Sequence, residues 1–347
     1  MSWVTRDFSK SQIDRAGRIL ARQPNAAANE REWARGVLSN WRSCHAYPLN
    51  TFQATLRARA ARIGHSFVVS QRLKRRTSIV KKLQRFSTMQ LSTMQDIGGL
   101  RCILGSMQQV DALFNAYRDG RLSHDLRRCD DYIRSPKDSG YRGVHLVYRY
   151  KRTSDPLAFN GLHVELQLRS NVQHAWAMAV ETAGLFLHQA LKSSEGPEEW
   201  LDFFRLCSSA FAKLEGQPVL AEHTEYAEEV EQRCAQAAHH LHVIDTFETY
   251  PLLAKKLEQT RARRGLNVFV LDVRARQLFG IGYPLSDLQR AEEDYSAYEA
   301  THRNDPSVHV FLVQARSLDE LKLAYPSFFF DTSMFLFLLR KVTEHTQ

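Results

Sequence analysis

No Asp or Glu occurs anywhere between Trp33 and Gln95. The same window holds twelve Lys or Arg: Arg35, Arg42, Arg57, Arg59, Arg62, Arg72, Lys74, Arg75, Arg76, Lys81, Lys82 and Arg85. Such a block draws anions, either phosphate groups or nucleic acid. Cysteine is scarce and scattered: Cys44, Cys102, Cys129, Cys207 and Cys234 contain no C-x-x-C pair. That excludes a disulfide framework and a structural zinc site of the usual spacing, and predicts free thiols in a reducing compartment. No stretch of 18 apolar residues exists, so no membrane-spanning helix is expected. Residues 1–7 lack an apolar secretory core, and the expectation is a cytoplasmic protein.

What the chain does have is enough apolar residues, 44% of 347, for a packed core. Helices are predicted over 9–22, 28–43, 49–64, 77–86, 107–119 and 171–192 by apolar residues at helical spacing. Strands are predicted over 65–70, 97–104, 126–132, 143–150 and 162–169. This alternation predicts an α/β or α+β domain with a mixed sheet. Residues 193–198 break the pattern, helices continue to about residue 264, and a β-β-α-β-α-α tail follows. The division expected is 1–44 for N-terminal helices, 45–192 for the main domain, 193–264 for a helical extension and 265–347 for a small separate accessory domain.

Two strand-like segments carry one carboxylate each among basic groups: Asp96 ahead of Gly98-Gly99, and Glu165 in His163–Arg169. Two carboxylates can hold Mg²⁺ against a polyphosphate. Glu165, Gln167 and Arg169 share one face of their strand, because side chains alternate, and Val164, Leu166 and Leu168 take the other. Between the two segments lies a loop, Asp131–His145, rich in groups that suit phosphate.

Taken in order, these segments resemble the synthetase domain of the RelA/SpoT family, which makes (p)ppGpp alarmones. The family's R-x-K-x-x-x-S-I-x-x-K-L is Arg72, Lys74, Ser78, Ile79, Lys82 and Leu83. Its D-I-x-G-x-R is Asp96, Ile97, Gly99 and Arg101. Its D-Y-I-x-x-P-K-x-x-G-Y-x-x-x-H is Asp131, Tyr132, Ile133, Pro136, Lys137, Gly140, Tyr141 and His145. Its E-x-Q-x-R is Glu165, Gln167 and Arg169, followed by His174, Trp176 and Ala177 on a helix. The resemblance covers about residues 45–190. It implies a nucleotidyltransferase-like mixed sheet flanked by helices, an α+β fold, and transfer of the β,γ-pyrophosphate of ATP to the 3′-hydroxyl of GDP or GTP.

By the same resemblance Arg72 and Arg101 flank the adenine, and Lys74, Ser78 and Lys82 contact the ATP phosphates. Asp96 binds Mg²⁺, and Glu165 binds Mg²⁺ or takes the hydroxyl proton. Tyr141 stacks on the acceptor base. Lys137, His145, Gln167 and Arg169 line the acceptor region, with His174 an additional candidate. The loop departs from the family's usual Asn-Gly-Tyr and following Ser: Ser139 stands for Asn, and Gly143 for Ser, with Arg142 before it. Toxin-like members act on the tRNA 3′-CCA end or on adenine nucleotides, and the basic block suits tRNA as well as ATP. The remaining alternative is an inactive RNA-binding module. The metal-binding His and Asp set of the family's hydrolase half has no counterpart: His124-Asp125 is an isolated pair, and His239, His240 and His242 lie on a predicted helix without Cys or clustered carboxylate partners. Residues 266–347 carry no chemistry of their own, which suggests a regulatory, partner-binding or oligomerisation role, with the aromatic stretch 328–339 as the contact.

Overall fold

The computed structural model describes residues 3–120, 122–153, 157–186, 196–245, 247, 265–272, 275, 277–302, 305, 308–315 and 332–344. Helix α1 (Lys10–Arg22) starts at a capping box, in which Ser9 and Gln12 satisfy each other's backbone donors. Helices α2 (Ala28–Ser43) and α3 (Ala46–Ile63) follow. Helix α3 begins one turn earlier than expected because Pro48 falls in its first turn, where a missing N–H costs nothing. Strand β1 (Phe67–Leu73), α4 (Arg76–Arg85), β2 (Gly98–Leu104), α5 (Met107–Arg118), β3 (Asp125–Asp131), β4 (Val144–Arg149), β5 (His163–Ser170) and α6 (Asn171–Phe186) complete the expected main domain.

The helices expected to run on to residue 264 are interrupted. Helix α7 (Glu198–Leu214) ends before Gly216, which takes φ +64, and Pro218 prevents resumption. Helix α8 spans Val230–His240, and residues 248–264 lie outside the described residues. The tail supplies β6 (Gly265–Asp272), β7 (Gln277–Tyr283), α9 (Leu288–Thr301), β8 (Val308–Ala315) and α10 (Ser333–Glu344). The helix expected between β8 and α10, with Phe328–Phe330, lies outside the described residues.

Among the described residues the strands form one sheet, in the order β3-β4-β5-β2-β1-β8-β6-β7. Strands β2 and β5 are parallel and every other neighbouring pair is antiparallel. The expected α+β architecture, a mixed sheet flanked by helices, is what the structure shows. The expected small separate domain over 265–347 takes a different form. Strand β8 pairs with β1 at Gln71↔Gln314 and Arg72↔Val313, so the tail extends the same sheet. Strand β1 runs to Leu73 and not to residue 70 because its pairing with β2 continues to Leu73↔Gly98. The N-terminal helices likewise share one apolar cluster with α3, α5 and the sheet.

Alternation divides the sheet's two faces. Leu100, Cys102, Leu146, Val164, Leu166 and Leu168 bury against α1–α3 and α5. The opposite face is polar, apart from one end covered by a second cluster of α6, α7, α8 and α10. In α10 the residues Phe335, Leu336, Leu338 and Leu339 are core, whereas Met334 and Phe337 are exposed. No helix among the described residues is long and apolar enough to cross a membrane.

Candidate active site

Two cross-strand rows build the polar face. In the first, Ser70 pairs with Arg101, Arg101 with Gln167, Gln167 with His145, and His145 with Asp130. In the second, Arg72 pairs with Gly99, Gly99 with Glu165, Glu165 with Val147, and Val147 with Arg128. Because residues two apart on a strand share a face, the two rows stand side by side. Together they line a cleft of about 550 Å³, whose walls also include Lys74, Lys82, Asp96, Lys137, Tyr141 and Arg169. Eleven of the residues named from the sequence therefore meet in one place. Ser78 and His174 do not line it: Ser78 is half-buried on α4, and His174 is buried on α6.

Asp96 sits just before β2. The Lys74 N–H donates to the Ile97 carbonyl (2.8 Å) and continues the β1–β2 ladder, which brings Lys74 beside it. On α4, Ile79 and Leu83 are buried, and this orientation delivers Lys82. Both ammonium groups donate to the same carboxylate oxygen, Asp96 Oδ2, at 2.9 and 2.8 Å. Burial alone would raise the Asp96 carboxyl, but Lys74 and Lys82 hold it below the usual carboxylate range. Burial lowers the Lys74 ammonium, with Asp96 opposing. The other oxygen, Oδ1, is buried and accepts no hydrogen bond from the described residues. An oxygen in that state fits a hard cation as its partner. Among the described residues no three His, Cys, Asp or Glu side chains converge. Two carboxylates completed by substrate phosphates and water is the habit of Mg²⁺, so Asp96 and Glu165 are the residues that fit it.

Glu165 lies on the other half of the cleft. Its Oε1 meets His145 Nδ1 at 3.0 Å, and its Oε2 accepts from Gln167 Nε2 at 2.8 Å. Burial would raise this carboxyl, yet the bonds from His145 and Gln167 hold it well below the usual range. A carboxylate held that low is a persistent anion and a weak base. The chain of contacts continues: Tyr141 Oη meets His145 Nε2 at 2.5 Å and accepts from Arg169 Nη2 at 2.6 Å. Arg169 Nε and Nη1 are buried without an acceptor among the described residues.

Sequence reasoning missed part of this lining. Tyr132 stood in the motif without a role, yet its ring is half-exposed, with Lys137 Nζ 4.3 Å from its centroid. Tyr141 is only 8% exposed, and it lines the cleft. Arg128, Asp130 and Ser70 were also unassigned; pairing register, which the sequence does not display, is what places them. Conversely, part of the basic block serves the interior. Arg42 is fully buried against Glu292, Arg57 donates to the Val69 carbonyl, and Arg59 donates to the Ala116 carbonyl.

Gly99 keeps the floor open between Arg72 and Glu165. A Cβ there would meet nothing closer than the Arg72 carbonyl at 3.9 Å. Gly99→Val should therefore fold normally and fill the cleft. Overfilling of about 1–3 kcal/mol predicts nucleotide binding weaker by about 10- to 100-fold, at an unchanged melting temperature. Titration with a nucleotide beside a thermal melt checks this, and unimpaired binding would place the ligand elsewhere.

Comparison with known proteins agrees with the cleft. Residues 71–186 match the family described as "Region found in RelA / SpoT proteins". The GTP pyrophosphokinase YjbM of Bacillus subtilis (strain 168) is 36% identical over 114 residues, 31% of this chain and 52% of that protein. An uncharacterised protein of Mycobacterium tuberculosis is 29% identical over 140 residues, 38% of this chain and 45% of its own length. The chain thus spans about half the length of the curated relatives it matches. The small alarmone synthetase 1 structure from Bacillus subtilis superposes with a TM-score of 0.43 at 24% identity, covering 58% of this chain and 98% of that one. Residues 71–186, which match that family's region, hold nearly every side chain of the cleft.

Proposed function

We propose that the cleft binds Mg²⁺-ATP beside a nucleotide acceptor and transfers the β,γ-pyrophosphate of ATP to the acceptor's 3′-hydroxyl, with GDP or GTP as acceptor. The observation that carries this reading is the placement of Asp96 and Glu165 in one cleft, with Lys74 and Lys82 on one and His145 on the other. Attack on a polyphosphate needs alignment and charge neutralisation more than covalent chemistry, and the lining offers those. A Mg²⁺ bound by the two carboxylates would neutralise charge on the transferred group.

Arg72 and Arg101, diagonal neighbours on β1 and β2, present two guanidinium planes to the adenine. Lys74 and Lys82 face the phosphates, with Ser78 one turn further back on α4. The low-lying carboxyl of Glu165 suits metal binding better than proton transfer. His145 is held between Glu165 and Tyr141, beside the acceptor. Lys137, Tyr141, Gln167 and Arg169 surround the acceptor. The relative matched at 36% identity is a GTP pyrophosphokinase, which favours a guanine nucleotide over tRNA or an adenine nucleotide. Incubation with γ-labelled ATP and GDP, GTP, ATP or deacylated tRNA tests the reading. Label on GDP or GTP is the result expected, and label on tRNA alone would transfer the same chemistry to a different acceptor. Label on none would overturn it.

Tyr141→Ala should raise the acceptor's KM by about 10- to 100-fold, the scale of stacking on a base, while the KM for ATP moves little. Steady-state kinetics with each substrate varied in turn checks the split. Equal weakening of both would make Tyr141 a scaffold residue that holds His145 and Arg169.

A further inference from the structure

The loop between β3 and β4 carries Lys137 and Tyr141 and departs from the family's usual pattern at Ser139 and Gly143, with Arg142 between them. Gly143 and Arg142 each have a structural role. Gly143 takes φ +149, and a Cβ there would meet Arg169 Cγ at 3.2 Å and Tyr141 Oη at 3.3 Å, so glycine leaves room for the Arg169–Tyr141 contact. Arg142 turns away from the cleft and is 4% exposed. Its Nε donates to Ser208 Oγ (3.0 Å) on α7, and its Nη1 donates to the Ile133 carbonyl (3.1 Å) at the start of the loop. The Ser208 hydroxyl in turn donates to the Gly140 carbonyl at 2.6 Å. One hydroxyl thus accepts from one side of the loop and donates to the other.

The loop lies hard against α6 and α7. A Cβ on Gly140, at φ +85, would meet Trp176 Cζ2 at 2.9 Å and Ser208 Cβ at 3.0 Å. Trp176 is itself fixed to α7 through its Nε1–H bond to the Phe204 carbonyl, 2.8 Å. Inside the loop, Gly140 N–H donates to the Lys137 carbonyl (2.8 Å) and Lys137 N–H to the Tyr141 carbonyl (3.2 Å). Fixing Gly140 therefore fixes both cleft residues. Among the described residues no carboxylate forms an ion pair with Arg142, and burial lowers its guanidinium to about 10, with Glu215 opposing from beyond ion-pair distance. Burying a cation without a paired anion is costly, and it is kept here by bonds whose effect is to hold a loop.

We infer that Ser208 is a positioning residue for the acceptor: the Arg142–Ser208–Gly140 contact locks residues 133–143 to α7 and sets the place of Lys137 and Tyr141. Ser208 lies beyond residues 71–186, so the acceptor side of the cleft depends on a helix outside the residues matched to the family. The contact touches neither β1, α4 nor β2, which carry the ATP-side residues. The inference rests on the proposed reading of the cleft.

The test is Ser208→Ala in the full chain, read by hydrogen exchange and by kinetics. Amides of Lys137 and Gly140 should exchange about tenfold faster, the scale of one lost hydrogen bond, while those of β1 and β2 keep their rates. The acceptor KM should rise about tenfold, with the ATP KM within about twofold. Should Ser208→Ala lower the melting temperature enough to blur the comparison, Arg142→Gln probes the same contact from the loop side, with the same split expected. A wild-type chain that transfers nothing overturns the functional reading, and the acceptor role of Ser208 with it. An active wild type whose variants keep the acceptor KM, or lose both substrates equally, overturns the inference alone.

Discussion

Asp96→Asn and Glu165→Gln should each cut pyrophosphate transfer by at least about 10²-fold, the scale for removing one group that stabilises charge in the transition state. Asp96 stands just before β2 and Glu165 on its parallel neighbour β5, where Glu165 pairs with Gly99, three residues beyond Asp96. They are served by different partners, Lys74 and Lys82 for Asp96, His145 and Gln167 for Glu165. Each amide keeps the shape of its carboxyl and removes the charge, and neither residue belongs to an apolar cluster. Both variants should therefore fold, as circular dichroism and a thermal melt would show, while the labelled-ATP assay falls to near background. Near-wild-type turnover in either variant would contradict the assignment.

Glu292→Ala should destabilise the whole chain by about 3–5 kcal/mol, the cost of stripping a buried charge of its partner. Arg42 is fully buried, and its Nη1 donates to both Glu292 oxygens at 2.7 and 2.6 Å. Its Nε donates to the Lys74 carbonyl (2.8 Å), and Tyr295 stacks on the guanidinium at 4.6 Å. Helix α9 also supplies the caps that α4 lacks: Arg76 N–H donates to Tyr295 Oη and Thr77 N–H to Glu299 Oε1. The tail therefore braces the strand end and helix that present Lys74 and Lys82. Urea denaturation measures the loss, and Arg42→Met with Glu292→Leu should recover much of it. A Glu292→Ala chain as stable as wild type would show that α9 does not hold this site. For the same reasons a chain ending at Arg264 should lose stability, because β1 would give up an edge partner and Arg42 its counter-ion. That outcome would favour a tail that completes the fold over a detachable regulator.

Much of the site was legible because strand alternation is a local rule. Glu165, Gln167 and Arg169 take the cleft face, and Val164, Leu166 and Leu168 are fully buried, as period two requires. What stayed hidden was non-local. Arg42 reads as one more cation of a basic block, and only its partner 250 residues away shows it to be interior. The pairing of β1 with β8 has no local signal, so the tail read as a separate unit. The donors at the start of α4 are capped from α9, 219 residues on in the case of Tyr295. Ser208 carries no motif at all, since its role arises from where α7 packs.

Co-crystallisation with Mg²⁺ and a non-hydrolysable ATP analogue tests the convergence of Asp96 and Glu165 most directly. One Mg²⁺ about 2.1 Å from an oxygen of each carboxylate, with the analogue's phosphates against Lys74 and Lys82, is the expected result. A nucleotide bound outside the cleft, or an ion that touches neither carboxylate, would contradict it.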